Sequence, residues 1–310
     1  MSRRTTTTVN VLLFLGAFAA LAHAQHFSDW SAPVNLGPTV NTAWNESMEF
    51  VTKNGKSLYF VSNRPGGLGG GDIWVSQRAS THDAWGTPVN LGPTINSTAQ
   101  EHCPIVTPDG HALIFGSDRA GGSGKVDFYI SFRHDTDDDF AWGPPQNIAA
   151  INSASDEMGP SVFENDDEDG DTLTLYFQSN RPGGPGGYDI YQSTIGEDWA
   201  FSAPTLVAEL SGPADDYQPA VRKDGRELFL TSTRPGGFGG ADLWVSTREN
   251  TDDPWSTPVN LGPVVNSTSG DLRAALSWNA TTLIFYSGRP GGFGGTDLWE
   301  TTRTKLHGQE

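Results

Sequence analysis

The sequence predicts an all-β fold in which five four-stranded sheets, or blades, close into a ring, which is a five-bladed β-propeller. Three observations predict it. One stretch of sequence occurs five times, short apolar segments alternate with turns rich in glycine and proline, and the last repeat lacks a strand that the N-terminal region supplies. Repeats of this kind are typical of solenoids and propellers, in which neighbouring units bury one another's apolar faces.

The repeated stretch combines an apolar strand, a glycine-rich loop and a second strand. Its first copy is Phe60–Trp74, which reads Phe-Val-Ser-Asn-Arg-Pro-Gly-Gly-Leu-Gly-Gly-Gly-Asp-Ile-Trp. Each copy keeps Ser-x-Arg before the loop, and after it an Asp followed by an apolar and an aromatic residue. A unit of this size is too small to bury a core alone, which favours one closed array over independent domains. The other copies are Phe115–Tyr129, Phe177–Tyr191, Leu230–Trp244 and Phe285–Trp299.

Each unit accommodates four short strands. In the first unit, an inner strand is expected near Met48–Thr52 and a second at Ser57–Ser62, whose apolar residues alternate. The glycine loop Arg64–Gly71 leads to a third strand at Asp72–Arg78, and Trp85–Leu91 is the fourth. The predicted blades cover residues 38–92, 93–148, 149–208, 209–261 and 262–305, the last completed by 29–37.

The two ends of the chain predict how the ring closes. The fourth strand begins with an aromatic residue followed three positions later by proline. This signature occurs at Trp30, before the first complete unit, and is missing after the last unit. Trp30–Leu36 is therefore expected to pair with the strand that holds Trp299, which removes an exposed sheet edge. The other copies of the signature begin at Trp85, Trp142, Phe201 and Trp255.

The N-terminus has the pattern of a secretory signal peptide. Arg3 and Arg4 form a positive region, residues 11–21 are apolar, and the run from Ala22 to Ala24 is a small-x-small cleavage site. The apolar run is too short to span a bilayer, and no later stretch qualifies. The sequence predicts cleavage after Ala24, leaving one domain at 25–310 that is periplasmic or secreted.

The chain of 310 residues carries a formal net charge of −18 and a single cysteine. Such an acidic surface makes nucleic acid and anionic membranes poor partners, but it is compatible with glycans, basic proteins and cations. Cys103 has no partner for an internal disulfide, so ring closure must stabilise the fold instead. We expect a monomer without a membrane span that binds a glycan or an envelope protein.

The Ser-x-Arg…Asp-(Ile/Leu)-(Tyr/Trp) core resembles the repeats of TolB-type, WD-repeat-like propellers. Loops that begin Arg-Pro-Gly-Gly, as at 64–67, resemble in particular the copies in exported bacterial envelope proteins. The resemblance covers nearly the whole mature chain. It implies a propeller in an extracytoplasmic space that serves as a binding or scaffold module, although related propellers also include glycan-cleaving enzymes.

The Arg and Asp of each repeat are interpreted as structural because every unit has them. The Arg at the end of strand two is expected to reach the Asp at the start of strand three in a charge-assisted hydrogen bond. A phosphate site at the glycine loops is not expected, because phosphate-binding loops open a helix and no helix is predicted. The pairs are Arg64/Asp72, Arg119/Asp127, Arg181/Asp189, Arg234/Asp242 and Arg289/Asp297.

An acidic residue opens each inner strand, and the inner strands of a propeller line its central channel. Carboxylates gathered near one axis would repel one another unless they bond loop backbone or hold a cation or ligand. The sequence favours the capping of loop N–H groups and leaves a cation or ligand site as the alternative. These residues are Glu46, Glu101, Glu157, Asp216 and Asp271.

A specific ligand site needs residues that break the five-fold repeat. His102, Tyr217 and Arg273 are such departures near the predicted channel mouth, and they join the five acids as candidate ligand-binding residues. Adjacent residues of a strand point to opposite faces, so a catalytic pair for glycosidic cleavage would have to come from different blades. Further departures in this region are Trp44, Glu49, Cys103, Asp156 and Asp215.

Two functions therefore stay open. The sequence favours an exported, non-catalytic binding or scaffold module whose ligand, a glycan or an envelope protein, sits at the channel mouth. The alternative is a polysaccharide hydrolase or lyase that uses carboxylates from different blades in the central pocket. No catalytic residue is assigned.

Blade three carries an acidic insertion between its first two strands. Asn165, Asp167 and Asp169 match the start of a calcium loop, and Asp171 is a further candidate ligand. Tyr176 occupies the position of the bidentate Glu, so the insertion is not an EF-hand. The sequence favours a solvated acidic turn and leaves calcium, the one cofactor considered, as the alternative.

Overall fold

The computed structural model describes residues 27–164 and 172–306. Its strands form five antiparallel sheets of four strands each. Blade one comprises β2 (Glu46–Val51), β3 (Ser57–Ser62), β4 (Asp72–Gln77) and β5 (Val89–Asn90), and blade two comprises β6 (Glu101–Val106), β7 (Ala112–Ser117), β8 (Asp127–Phe132) and β9 (Gln146–Asn147). Blade three comprises β10 (Glu157–Glu164), β11 (Leu173–Ser179), β12 (Asp189–Ile195) and β13 (Thr205–Leu206), with a 3-10 turn at Glu197–Trp199. Blade four comprises β14 (Asp216–Val221), β15 (Glu227–Ser232), β16 (Asp242–Thr247) and β17 (Val259–Asn260), and blade five comprises β18 (Asp271–Leu276), β19 (Thr282–Ser287), β20 (Asp297–Thr302) and β1 (Val34–Asn35).

The pairing of β1 with β20 closes the ring. Asn35 lies opposite Trp299 in an antiparallel register, and the Ser31 N–H donates to the Thr302 carbonyl at 2.8 Å. The inner strands β2, β6, β10, β14 and β18 contact one another in turn, and β18 returns to β2. The predicted five-bladed propeller, completed by a strand from the N-terminal region, is confirmed.

The fourth strands are shorter than predicted. In blade one the strand was expected over Trp85–Leu91, but β5 covers only Val89–Asn90. Pro88 precedes it and has no N–H to donate, so regular pairing begins after the proline. The fourth strands of the other blades also begin directly after a proline.

The apolar core lies between neighbouring blades. Val61 and Ile73 of blade one pack with Leu113 and Phe115 of blade two, and all four are buried. Each blade therefore supplies one wall of two cores, which is why a single unit does not suffice.

An arginine after the third strand stacks on the tryptophan that lies a few residues before the fourth strand. Its Nε also donates to a carbonyl of the first hairpin turn, as from Arg78 to Gly55 at 2.8 Å. Blade three has Ile195 at the equivalent position and lacks the stack. The guanidinium carbons lie 4.0–4.4 Å from the ring centroids in the pairs Arg78/Trp85, Arg133/Trp142, Arg248/Trp255 and Arg303/Trp30.

Every inner strand contains a β-bulge that the sequence did not predict. In β2, Met48 and Glu49 lie between the paired residues Ser47 and Phe50, and only one residue of β3 opposes them. The third residue of each inner strand has a left-handed backbone, with φ between 48° and 64°. Bulges of this kind re-aim side chains. The five left-handed residues are Met48, Cys103, Gly159, Gln218 and Arg273.

The predicted hydrogen bond between the repeat Arg and the repeat Asp is wrong, although both residues belong to the blade skeleton. Arg64 Nη2 donates instead to Glu46 at 3.0 Å and to the Val40 carbonyl at 2.6 Å. Asp72 accepts the Leu68 and Gly69 amides of the glycine loop and Asn90 Nδ2. The same Arg-to-acid pairing recurs in the other blades, at Arg119/Glu101, Arg181/Glu157, Arg234/Asp216 and Arg289/Asp271.

Candidate functional site

The five acids that open the inner strands have no exposed surface. Glu46 accepts the Thr42 N–H and hydroxyl, both at 2.7 Å, and the Ser62 hydroxyl at 2.9 Å, besides its bond from Arg64. Its equivalents in the other blades also accept a bond from the preceding loop and an ion pair from the repeat Arg. The carboxylates therefore hold the loops that shape the mouth of the channel. A direct role in ligand binding stays a prediction for them.

A group of residues that break the repeat lies where blades two, three and four meet on the side of the glycine loops. We call it the glycine-loop mouth, and it consists of His102, Asp156, Tyr188, Asp215 and Tyr217. The Tyr188 hydroxyl donates to Asp156 at 3.1 Å, and the Tyr188 N–H donates to Asp215 at 3.0 Å. The rings of Tyr188 and Tyr217 meet edge to face, with centroids 6.4 Å apart. One tyrosine thus joins two carboxylates from different blades.

The electrostatics of this mouth follow from burial and from its carboxylates. Burial raises the pKa of Tyr188 to about 12, and the charge and hydrogen bond of Asp156 add to that rise. Burial and the nearby Asp215 and Asp216 likewise raise the pKa of Tyr217 to about 12. Both phenols are therefore neutral hydrogen-bond donors at neutral pH.

His102 contributes an uncharged imidazole to the glycine-loop mouth. Burial lowers its pKa from the usual 6.5, and the negative charges of Asp118 and Asp156 offset this only in part. Its Nδ1 is buried and has no hydrogen-bond partner within residues 27–164 and 172–306. The neutral ring can accept or donate one bond to a ligand.

Arg273 lies inside the channel instead of at its predicted mouth, because the bulge of β18 turns it inward. Its Nε donates to the Glu49 carbonyl at 2.9 Å and its Nη2 to the Pro104 carbonyl at 3.4 Å. Gln218 lies in the same buried layer and donates to the Tyr286 hydroxyl at 3.1 Å. Cys103 is buried in this layer as well, and burial raises the pKa of its thiol.

Among the described residues, Glu49 is the one acid of the channel interior whose carboxyl oxygens lack a hydrogen-bond partner. Its side chain is fully buried, and neither carboxylate oxygen has a hydrogen-bond partner in the described part of the chain. Burial raises its pKa well above the usual value, and the nearby positive charge of Arg273 counteracts this only partly. Glu49 and Arg273 both line a cavity of about 70 Å³ between the inner strands.

Sequence reasoning missed Tyr188 and underrated Glu49. Tyr188 directly precedes the repeat Asp, where the other copies have Gly71, Val126, Ala241 and Thr296. It is the only aromatic residue at that position, and an alignment of the five copies would have revealed it. Trp44, another departure from the repeat, is exposed on its loop and joins neither group.

The predicted calcium ligands Asn165, Asp167, Asp169 and Asp171 lie outside the described residues. Over residues 27–164 and 172–306, no group of three or more His, Cys, Asp or Glu side chains is arranged to hold a metal ion. Calcium binding therefore stays a prediction. No helix in the described part of the chain has the length and apolarity of a transmembrane span.

Solved structures with a similar fold include several glycosidases. An α-L-arabinofuranosidase from Lactobacillus brevis is 14% identical, with a TM-score of 0.60 over 88% of this chain and 93% of that chain. The likeness shows a shared fold. A thermostable family-43 glycoside hydrolase is 12% identical, with a TM-score of 0.57 over 89% and 94% of the two chains. An α-L-arabinofuranosidase from Podospora anserina is 13% identical, with a TM-score of 0.53 over 89% and 97%.

Sequence comparison adds no closer relative: no protein-family profile matches the chain, and no curated protein sequence is significantly similar. The resemblance of the repeats to TolB-type propellers therefore stays a prediction.

Proposed function

We propose that this protein acts on a glycan at the glycine-loop mouth. The observation that carries the proposal is the pairing of two tyrosine rings with two carboxylates, Tyr188 and Tyr217 with Asp156 and Asp215. Sugar rings present C–H faces that pack on aromatic rings and hydroxyls that donate to carboxylates, and ligand sites combine such apolar surfaces with a few placed polar groups. Neutral His102 supplies one further polar contact.

Glycan recognition at this mouth leads either to binding alone or to cleavage of the glycan. The neighbours named above are glycoside hydrolases, and this supports hydrolysis over a purely non-catalytic module. Most glycosidases use two carboxyl groups, about 5–5.5 Å apart for retention or about 6.5–9.5 Å for inversion. Asp156 and Asp215 come from different blades and are both bonded to Tyr188, so they are the pair we assign to this role.

The test is a panel of plant and bacterial polysaccharides scored both for binding and for released reducing ends. We expect Asp156→Asn and Asp215→Asn each to weaken binding at least about tenfold, because each removes a charged acceptor, and to abolish any cleavage. Asp252→Asn, an exposed residue in the loop between β16 and β17, is the matched control and should change neither. Binding without product by the unaltered protein would favour the non-catalytic module.

The proposal fails if no polysaccharide is bound or cleaved, or if Asp156→Asn and Asp252→Asn behave alike. We also propose export, on the signal pattern of residues 1–24, which lie outside the described residues. Detection of the chain with its N-terminus at Gln25 in a periplasmic or culture-medium fraction would test this.

A further inference from the structure

The cavity at the other end of the channel differs in charge from the rest of the protein. Its lining includes four basic side chains but only one acidic side chain, Glu49, in a chain whose net charge is −18. Burial raises the pKa of Glu49 well above its usual value, and even an ionised Glu49 is outnumbered by the basic side chains, so the lining is positive overall. The basic residues are Lys53, Arg222, Lys223 and Arg273.

The entrance to this cavity lies among the turns that join first and second strands, on the side opposite the glycine loops. We call it the hairpin mouth, and it consists of Lys53, Lys223 and Trp278. The ammonium groups of Lys53 and Lys223 lie 4.5 and 5.4 Å from the centroid of the Trp278 ring. Two of the chain's five lysines thus meet at one half-buried tryptophan. Arg222 is neutralised by Asp224 and Glu227, which leaves the two lysines as the available cations.

The interior of the cavity contains both a hydrogen-bond donor and hydrogen-bond acceptors that have no partner. Arg273 Nη1 is buried without a hydrogen-bond partner, and both oxygens of Glu49 lack one, within residues 27–164 and 172–306. Buried polar groups are normally paired, so such groups at a cavity indicate a missing acceptor and a missing donor. The Arg273 guanidinium lacks an acceptor, and the Glu49 carboxyl group lacks a donor.

We propose that this cavity binds the carboxylate end of a hydroxylated acid, a uronic acid being the simplest example. The carboxylate accepts from Arg273 Nη1, a neighbouring hydroxyl donates to Glu49, and the lysines neutralise the charge at the entrance. A cavity of about 70 Å³ holds roughly five waters, which suits a carboxylate with its neighbouring carbons. The rest of the ligand then lies against Trp278. The inference is independent of the glycan site at the glycine-loop mouth.

The experiment is calorimetric titration of the full chain with galacturonate, and with galactose as the neutral control. We expect galacturonate to bind, galactose not to bind, and affinity to fall with added salt. Lys53→Met and Lys223→Met should each weaken binding about five-fold, the loss expected for one partly exposed charge. Lys56→Met, in the same turn as Lys53 but outside the cavity lining, should leave it unchanged.

Glu49→Leu separates a binding role from a structural one. Because no described residue bonds its oxygens, this variant should fold, as checked by thermal melting, yet bind galacturonate about tenfold more weakly. If an oligogalacturonide binds as well as galacturonate does, the natural ligand is the end of a polysaccharide. If only galacturonate binds, the natural ligand is a free sugar acid. The proposal is overturned if galacturonate does not bind, if galactose binds equally well, or if Lys53→Met and Lys56→Met have the same affinity.

Discussion

Arg303 holds the closing strand in place, and its replacement by methionine is the sharpest test of the ring. Its guanidinium donates to both oxygens of Glu227 at 2.8 and 2.6 Å and to the Ala280 carbonyl at 2.8 Å. It also lies 3.8 Å from the ring centroid of Phe27 and 4.4 Å from that of Trp30. One side chain therefore joins blade five, blade four and the N-terminal segment that supplies β1.

The expected loss of stability follows from the buried Glu227 carboxylate, which Arg303→Met leaves without its main partner. Removing one partner of a buried ion pair costs about 3–5 kcal/mol, and Glu227 keeps only Arg222, at 3.1 Å, so we expect a loss of about 3 kcal/mol. The equivalent Arg78 stacks on Trp85 and bonds the Gly55 carbonyl, but no carboxylate of the described residues bonds it. Its replacement by methionine should cost only about 1 kcal/mol.

Urea unfolding of the two variants measures this difference. At a constant slope against urea concentration, Arg303→Met should lower the free energy of unfolding by about 2 kcal/mol more than Arg78→Met. Glu227→Gln should cost a similar amount, and the double variant should cost less than the sum, because the two residues act together. Equal losses of unfolding free energy for Arg303→Met and Arg78→Met would refute the proposed role of Arg303 in holding the closing strand. The stacking of an arginine on a tryptophan, which both residues share, would then account for both losses.

Two further predictions concern stability. Burial would raise the pKa of Asp139, but hydrogen bonds from Ser57, Tyr59, Gln77 and Arg133 outweigh it and lower the pKa below its usual 3.8. A carboxyl group whose pKa is lower in the folded state stabilises the fold above its unfolded pKa and loses that effect as pH falls. Urea unfolding should therefore show Asp139→Asn less stable than the unaltered protein at pH 7, with the gap narrowing below about pH 4; a constant gap contradicts this. Asp242→Ala should cost about 3 kcal/mol, because it deprives the Phe238 and Gly239 amides and Asn260 of their acceptor. Asp252→Ala is its control, and equal melting temperatures for the two would exclude the skeletal role.

The repeat and the ends of the chain were sufficient to predict the fold, because each carries a signal that a single sequence shows. The fourth-strand signature at Trp30 precedes the first complete unit, which predicted that this segment completes the last blade. The structure places β1 beside Trp299 as expected. The pairing of Arg64 was wrong for a physical reason. The glycine loop curls over Asp72 and gives it backbone donors, so Arg64 turns to Glu46, which is buried and needs a cation.

The bulges could not be predicted, because only one of the five left-handed positions is a glycine. Glycine favours this left-handed backbone, so Gly159 alone gives a sequence signal for it. The residue types at the other four positions give none, and these are Met48, Cys103, Gln218 and Arg273. The bulge decides which inner-strand side chains enter the channel, and this is why Arg273 was expected at the mouth but lies inside. Sequence patterns place residues on strands, but a bulge changes which way they face.

The five-fold skeleton leaves function to the residues that break it, and these fall into two groups. Each repeated Arg bonds the acid that opens its inner strand, and each repeated Asp bonds the glycine loop, so these side chains have little hydrogen-bonding capacity left for a ligand. The glycine-loop mouth combines carboxylates with tyrosines, whereas the hairpin mouth is basic. Between them lies the buried layer of Cys103, Gln218 and Arg273, and no glycine-loop mouth residue lines the cavity. The two ends should therefore bind independently: Asp156→Asn should leave galacturonate affinity unchanged, and Lys223→Met should leave the binding of an uncharged polysaccharide unchanged.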